Sequence, residues 1–516
     1  MTVHERQKPP EGHGEVLCAP PFETWRGLVE RTAAAVATWP QEVRALREQA
    51  RAETVAEAER FSATFGIAPA RPWSGGPIVM TGHQPELYHP GVWVKDFLVD
   101  RLAAETGALG LDVVVDTDVC DPVRLRVPQP GKHPGVREIE LTGAGNGAAY
   151  VQTAVPSRSR LSAFRAAGLE ALGGVPAPAL GRHFGAFCDC LDAAAGRSAD
   201  LGTLMTVARR CYESPAETAY LEVQASSQCR LPSYRAFAGS LLADAARFRT
   251  VLNAALAEYR ARTGARSAAQ PFPDLAEDGG RIEAPFWLLR DGRRLAVSVG
   301  ADGTLVAGGE VVCALGGSAE SAARALAGND LLLAPRAVTL TLFQRVFVAD
   351  LFVHGTGGGR YDQVTDAVIR SYYGVEPPPF AIASMTLLLP LGGRVVTDED
   401  VAGAERELKR FEHNPDELLA EVEFDTPAER ERADGLAARK AAAIAAIAQP
   451  DADRKALGAE IREVNAALTA MLEPVGQCLA EALVRAKEER AASAVLTDRT
   501  YPYCLWDPRE VADKVR

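Results

Sequence analysis

The chain has 516 residues, 47% hydrophobic and 24% charged, which is enough to bury a large core without disulfide staples. At about 150 residues per domain, it holds two to four domains. Its net charge of −12 argues against a general nucleic-acid binder, which carries a basic stripe, but leaves room for a local basic pocket that takes a small anion.

The nine cysteines are scattered, with no C-x-x-C pair. Cys188-Asp189-Cys190 has no further Cys or His at finger spacing. Reduced, buried thiols in a cytoplasmic chain are therefore expected, and no metal site. Met1 to Pro10 is polar and lacks an apolar signal core. The most apolar stretch, Leu331 to Val353, is interrupted by Arg336, Arg345 and Asp350, so it reads as buried strand and helix rather than a membrane span.

In chain order, residues 24–64 read as helix, broken at Pro40. Pro77-Ile78-Val79-Met80 reads as a buried strand, and Thr81 to Gly91 as a loop. A helix follows, with His89 as N-cap, Pro90 as first residue and a stop at Gly107 or Gly110. Its apolar face is Val94, Phe97, Leu98 and Leu102, with Lys95, Asp96 and Asp100 off that face. Leu111 to Val115 is a second buried strand, so this region is a βαβ unit of a parallel sheet. Residues 157–262 read as a helical insertion. Residues 284–315 read as β-rich, with a hairpin at Asp291-Gly292. Phe347 to Val353 reads as a strand, followed by a glycine-rich run and a helix that ends at Gly374.

Beyond about residue 400, Ala, Glu, Arg, Lys and Leu dominate. Leu457, Ile461, Val464, Leu468, Leu472, Val475, Leu479 and Leu483 form an apolar stripe at steps of three and four, kinked at Pro474. Gln449-Pro450-Asp451 turns between two helical arms. The aromatic tail, Tyr501 to Trp506, folds back on a surface. The expected organisation is a core over 1–395, a coiled-coil arm over 396–495 and a tail over 496–516.

Three strand-end loops carry the candidate chemistry, and a sheet brings such ends to one edge. In the first, Thr81, Gly82, His83, Gln84, His89 and Gly91 sit at a helix start, with Lys95 close behind, where free N–H groups and the helix dipole favour an anion. The second is Asp116-Thr117-Asp118-Val119-Cys120-Asp121, whose carboxylates would orient an amine or hydroxyl pair. In the third, Gly355, Gly357, Gly358 and Gly359 let backbone approach a ligand, and Arg360 would fork onto a carboxylate or phosphate. The catalytic candidates are His83, His89, Asp116 and Asp118; the other residues, Asp121 included, are substrate- or nucleotide-binding candidates. There is no H-E-x-x-H, G-x-S-x-G or P-loop.

Thr81-Gly82-His83-Gln84 resembles the T-G-Q-Q segment of the bacillithiol biosynthesis cysteine-adding enzymes. Pro335-Arg336, Leu342-Phe343-Gln344 and Val353 to Gly359 resemble that family's S-P-x-x-x-x-x-x-x-Q segment and its glycine-rich turn. The helical arms and the C-terminal Tyr-Pro match its layout. The resemblance implies a Rossmann-like α/β core of the nucleotidyltransferase type, helical insertions and a C-terminal antiparallel coiled-coil hairpin. It also implies an amide-forming ligase that attaches cysteine, or another amino acid, to a small amine such as an amino-sugar conjugate. His83 stands where the family has Gln and Arg360 where it has Glu, and the acidic run lacks the family's His. ATP would activate the acid, with Mg²⁺ left open. Alternatives are a nucleotidyltransferase acting on a sugar or cofactor phosphate, and a non-enzymatic coiled-coil assembly protein. The stripe argues for a homodimer that takes a small-molecule substrate and binds neither nucleic acid nor membrane.

Overall fold

The computed structural model describes residues 7–69, 72–129, 134–143, 147–265 and 272–516; Met1 to Arg6 of the polar N-terminus lie outside the described residues. The molecule is an α/β protein with two compact units: residues 1–127, 138–389 and 499–516 form one, and residues 128–137 and 390–498 the other.

The first unit is built on six strands: β1 (Val16–Ala19), β2 (Ile78–His83), β3 (Leu109–Val114), β4 (Leu221–Gln224), β5 (Leu351–His354) and β6 (Phe380–Met385). Their order across the sheet is β1-β6-β5-β2-β3-β4. Only β1 is antiparallel to its neighbour. Counted in chain order, the five parallel strands lie third, second, first, fourth, fifth. This is a doubly wound order, and the winding reverses between β2 and β5.

Helices cover the sheet, so its central strands begin as apolar runs; Ile78, Val79 and Met80 are fully buried. Helices α1 (Gln41–Ala63), α2 (Pro90–Thr106), α3 (Leu201–Glu213) and α4 (Gly358–Val368) frame the site. Helix α2 packs on β2, β3 and β6 and against the C-terminal helix Pro508–Val515. It ends at Gly107, which takes the left-handed φ of 70° that a C-cap requires.

Three expectations need correction. Lys95 and Asp96 are not on an open face; they are 2% and 3% exposed, because α3 brings Arg209 against Asp96 at 3.2 Å and Trp93 donates to Glu213 at 2.6 Å. The segment 157–262 is mostly helical and also contributes β4, whose Glu222 is buried against Arg209 at 2.6 Å. Phe347 to Val353 is not one strand. Gln344–Val348 continues the helix Ala337–Phe343 as a π-helical turn, and β5 begins at Leu351. Arg47 of α1 stops that turn by donating to the carbonyls of Val346 (2.7 Å) and Ala349 (2.9 Å) and to Asp350 (2.7 Å). Finally, the cysteines are not all free. Cys190 and Cys211 form a disulfide across the helix pair Pro178–Ala195 and α3, whose packing sets their Cα atoms 5.7 Å apart.

The β-rich segment is part of a six-stranded antiparallel sheet in which Arg281–Arg290 and Arg293–Gly300 form a hairpin. Asp291 (φ 50°) and Gly292 (φ 69°) give this hairpin its tight two-residue turn.

The second unit is helical: Asp398–His413, Pro427–Ile447, Arg454–Met471 and Glu473–Leu496. The axis turns by 81° between the last two, at Leu472, with Pro474 in the first turn of the second. Phe411, Leu418, Leu419, Ala433, Val464, Leu468 and Leu472 form its core. Among the described residues no single helix is long and apolar enough to cross a membrane; the bent pair Arg454–Met471 and Glu473–Leu496 passes by length and composition only.

Candidate functional site

A cavity of about 550 Å³ opens where the winding of the sheet reverses, between the ends of β2 and β5. Ligands of open α/β sheets bind at this place. Its walls come from the β2–α2 loop, the glycine run after β5, helix α4, Ser384 of β6 and Arg499.

The β2 side is built by close approach. A Cβ on Gly82 would overlap Val113, so only glycine lets β2 and β3 lie together there. At the start of α2, His89 is extended (φ −86°, ψ 163°), and its Nδ1 accepts the Gly91 N–H at 3.0 Å. Lys95, which lines the cavity, donates from Nζ to Thr81 Oγ1 (3.0 Å) and to the Gly82 carbonyl (2.9 Å). Thr81 in turn donates to the Val353 carbonyl at 2.8 Å, which ties β2 to β5. Arg499 lies over the helix start, donating to Ser384 Oγ (2.8 Å), the Met385 carbonyl (2.6 Å) and Thr386 Oγ1 (2.9 Å).

The electrostatics suit an anion. Burial and the Lys95 charge push the His83 imidazole down to about 3, so this ring is neutral at neutral pH. Burial also lowers Lys95 from its usual value, while Asp96 opposes the shift. On the adjoining edge, burial and the charges of Asp121 and Asp118 push the Glu86 carboxyl up to about 7.

On the β5 side, His354 Nε2 lies 2.8 Å from Asp362 Oδ2, and Arg345 donates to the same oxygen at 2.7 Å. Burial alone would raise Asp362, but Arg345 and His354 hold it well below the usual carboxylate range. Thr341 and Thr365 hydroxyls lie 3.1 Å apart. Phe272 and Tyr361 stack edge to face at 5.5 Å, and both line the cavity.

The structure brings Gly82, His83, Gln84, His89, Gly91, Lys95, Gly355, Gly357 and Gly358 to this cavity and leaves the other sequence candidates outside its lining. Thr81 is buried behind Lys95. Asp116 is fully buried, accepting the Ser226 N–H at 2.8 Å and the Ser226 hydroxyl, so it braces β3 rather than meeting a ligand. Asp118 lies on the rim, held by Gln84 Nε2 (2.9 Å) and Arg294 (2.5 Å), and Asp121 acts on Glu86 beside it. A Cβ on Gly359 would overlap Ile382, so that glycine serves packing. Arg360 leaves the cavity and instead acts on Tyr259, because the first turn of α4 carries it round the helix.

Sequence reasoning missed His354, Asp362, Ser384 and Arg499. His354 ends a buried strand beside a glycine run, which is a readable signal. Arg499 carries none. No protein-family model matches the chain, and no curated protein matches it.

Proposed function

We propose that the chain is a ligase-like enzyme that joins an amino acid, cysteine or another, to a small amine, with ATP activating the acid. The observation that carries this reading is the convergence of the His89-capped helix start, Lys95 and Arg499 on one cavity at the winding reversal. Two cations and the positive end of a helix dipole at one point suit phosphate oxygens. Lys95 would bind as a point charge, and Arg499 takes the anion-binding role first given to Arg360. Neutral His83 would donate or accept a hydrogen bond without adding charge. Glu86 and Asp118 on the rim would hold the amine.

This reading carries with it a nucleotidyltransferase-type core, a coiled-coil arm and a cytoplasmic homodimer. Among the described residues no group of three or more His, Cys, Asp or Glu side chains is placed to hold a metal ion. ATP–pyrophosphate exchange and phosphate release, measured with a panel of amino acids, test the proposal. Turnover that needs an amino acid supports it. Turnover with a sugar phosphate instead supports a nucleotidyltransferase, which the Phe272–Tyr361 wall favours as a stacking surface for a base. No turnover with either would leave the assembly-protein reading.

A further inference from the structure

We infer that His354 is the group that takes the proton from the attacking amine, with Asp362 and Arg345 fixing its ring behind it; the inference rests on the ligase reading above. Three observations carry it. First, His354 lines the cavity at the end of β5, yet only 7% of it is exposed, so its ring is held and not free to wander. Second, its two nitrogens have different surroundings. Nε2 is 2.8 Å from the Asp362 carboxylate, which accepts hydrogen bonds and donates none, so Nε2 carries the N–H and Nδ1 keeps its lone pair. Third, Nδ1 makes no hydrogen bond to a described residue, and the main chain beside it is glycine. A Cβ on Gly358 would stand 2.9 Å from Nδ1.

Arg345 completes the arrangement. It is 1% exposed and binds Asp362 at 2.7 Å and Asp366 at 2.6 Å, which keeps the Asp362 carboxylate ionised and immobile. An imidazole that lines a cavity, with one nitrogen on a fixed carboxylate and the other without a hydrogen bond to a described residue, has the layout of a general base. In the amide step, the nitrogen lone pair of the amine attacks the carbonyl carbon of the activated acid and forms the C–N bond. The bond from that carbon to the phosphate oxygen breaks, and the phosphate leaves with the electron pair. The proton that the nitrogen sheds passes to His354 Nδ1.

The test separates this step from activation of the acid. In His354→Gln, amide formation is expected to fall about 100-fold or more, the usual weight of a general base, while amino-acid-dependent ATP turnover falls far less. Gly358→Ala gives a second variant on an exposed residue. Its methyl group would stand 2.9 Å from Nδ1 and force the ring to give, so amide formation is expected to fall more than ATP turnover does. In Asp362→Asn, the ¹⁵N shifts of His354 should lose the Nε2–H preference, which a merely structural carboxylate would not control. Equal losses in both steps, or full amide formation in His354→Gln, overturn the assignment and leave the ligase reading in place. A wild-type chain that turns over no ATP with any amino acid sinks both together.

Discussion

Arg499 lies against Gly91: a Cβ built on that glycine would overlap the guanidinium, with the Met385 carbonyl 2.7 Å away on the same side. The absent side chain at the second residue of α2 is therefore what lets a cation from the far end of the chain reach the helix start. Gly91→Ala is expected to displace the guanidinium and weaken binding of inorganic phosphate and ATP. A charge-assisted hydrogen bond contributes about 1.5–3 kcal/mol, so the loss should be about tenfold or more by calorimetry. Arg499→Gln should weaken binding to a similar degree. Unchanged affinity in both variants would remove Arg499 from the site.

Asp116 should make stability depend on pH. Burial, opposed by the hydrogen bonds from Ser226, pushes its carboxyl up to about 7. Between its unfolded value near 4 and about 7, the folded chain holds a proton that the unfolded chain releases. The stability from this group is thus full at the acid end and falls as pH rises, by up to about 1.4 kcal/mol per pH unit. Asp116→Asn does not titrate, so the wild-type advantage over it should shrink across that window. Urea midpoints measured for both chains check this; parallel curves would mean that Asp116 titrates as an exposed carboxyl.

The Cys190–Cys211 bridge closes a loop with a sequence separation of 21. A loop of that size adds about 3 kcal/mol by constraining the unfolded chain. Dithiothreitol should therefore lower the melting temperature of the parent and leave that of Cys190→Ser unchanged. Thiol titration of the denatured, unreduced chain should find the seven free cysteines. A count of nine would show that the bridge is absent.

Leu472 is 2% exposed and packs with Phe411, Leu418 and Leu419 inside the helical unit. Leu472→Glu buries an unpaired charge, so it should unfold that unit and lower the helical signal, not merely alter assembly. Circular dichroism and light scattering on the same sample distinguish the two effects. A folded variant whose mass halves would instead place Leu472 at a contact with a second copy.

Legibility in the sequence followed the locality of the interactions. The segment from β2 through α2 to β3 was readable because its signals are local: apolar runs for the strands, His89-Pro90 at the helix start and Gly107 at its end. The strand β4 was not. It has four residues, and two of them, Glu222 and Gln224, are polar; Glu222 is buried only because Arg209 arrives from α3. Asp116 failed as a site residue for a related reason. A strand-end carboxylate looks the same in sequence whether it faces a ligand or is held by Ser226, and that partner is 110 residues away. The aromatic tail announced that it would be buried, and Tyr503 does pack on Tyr88, Trp93 and Phe187. Nothing local said that this packing would deliver Arg499 to the winding reversal.

That delivery has a consequence for synthesis. Translation produces β2 and β5, and so both strand ends of the cavity, well before it reaches Arg499. A nascent chain able to pair its sheet therefore still lacks one of the two cations at the helix start until the aromatic tail leaves the ribosome and docks. Competence for an anionic ligand would then arrive as a late, separate event after the sheet forms, and phosphate affinity would report whether the segment that carries Arg499 has been made and seated.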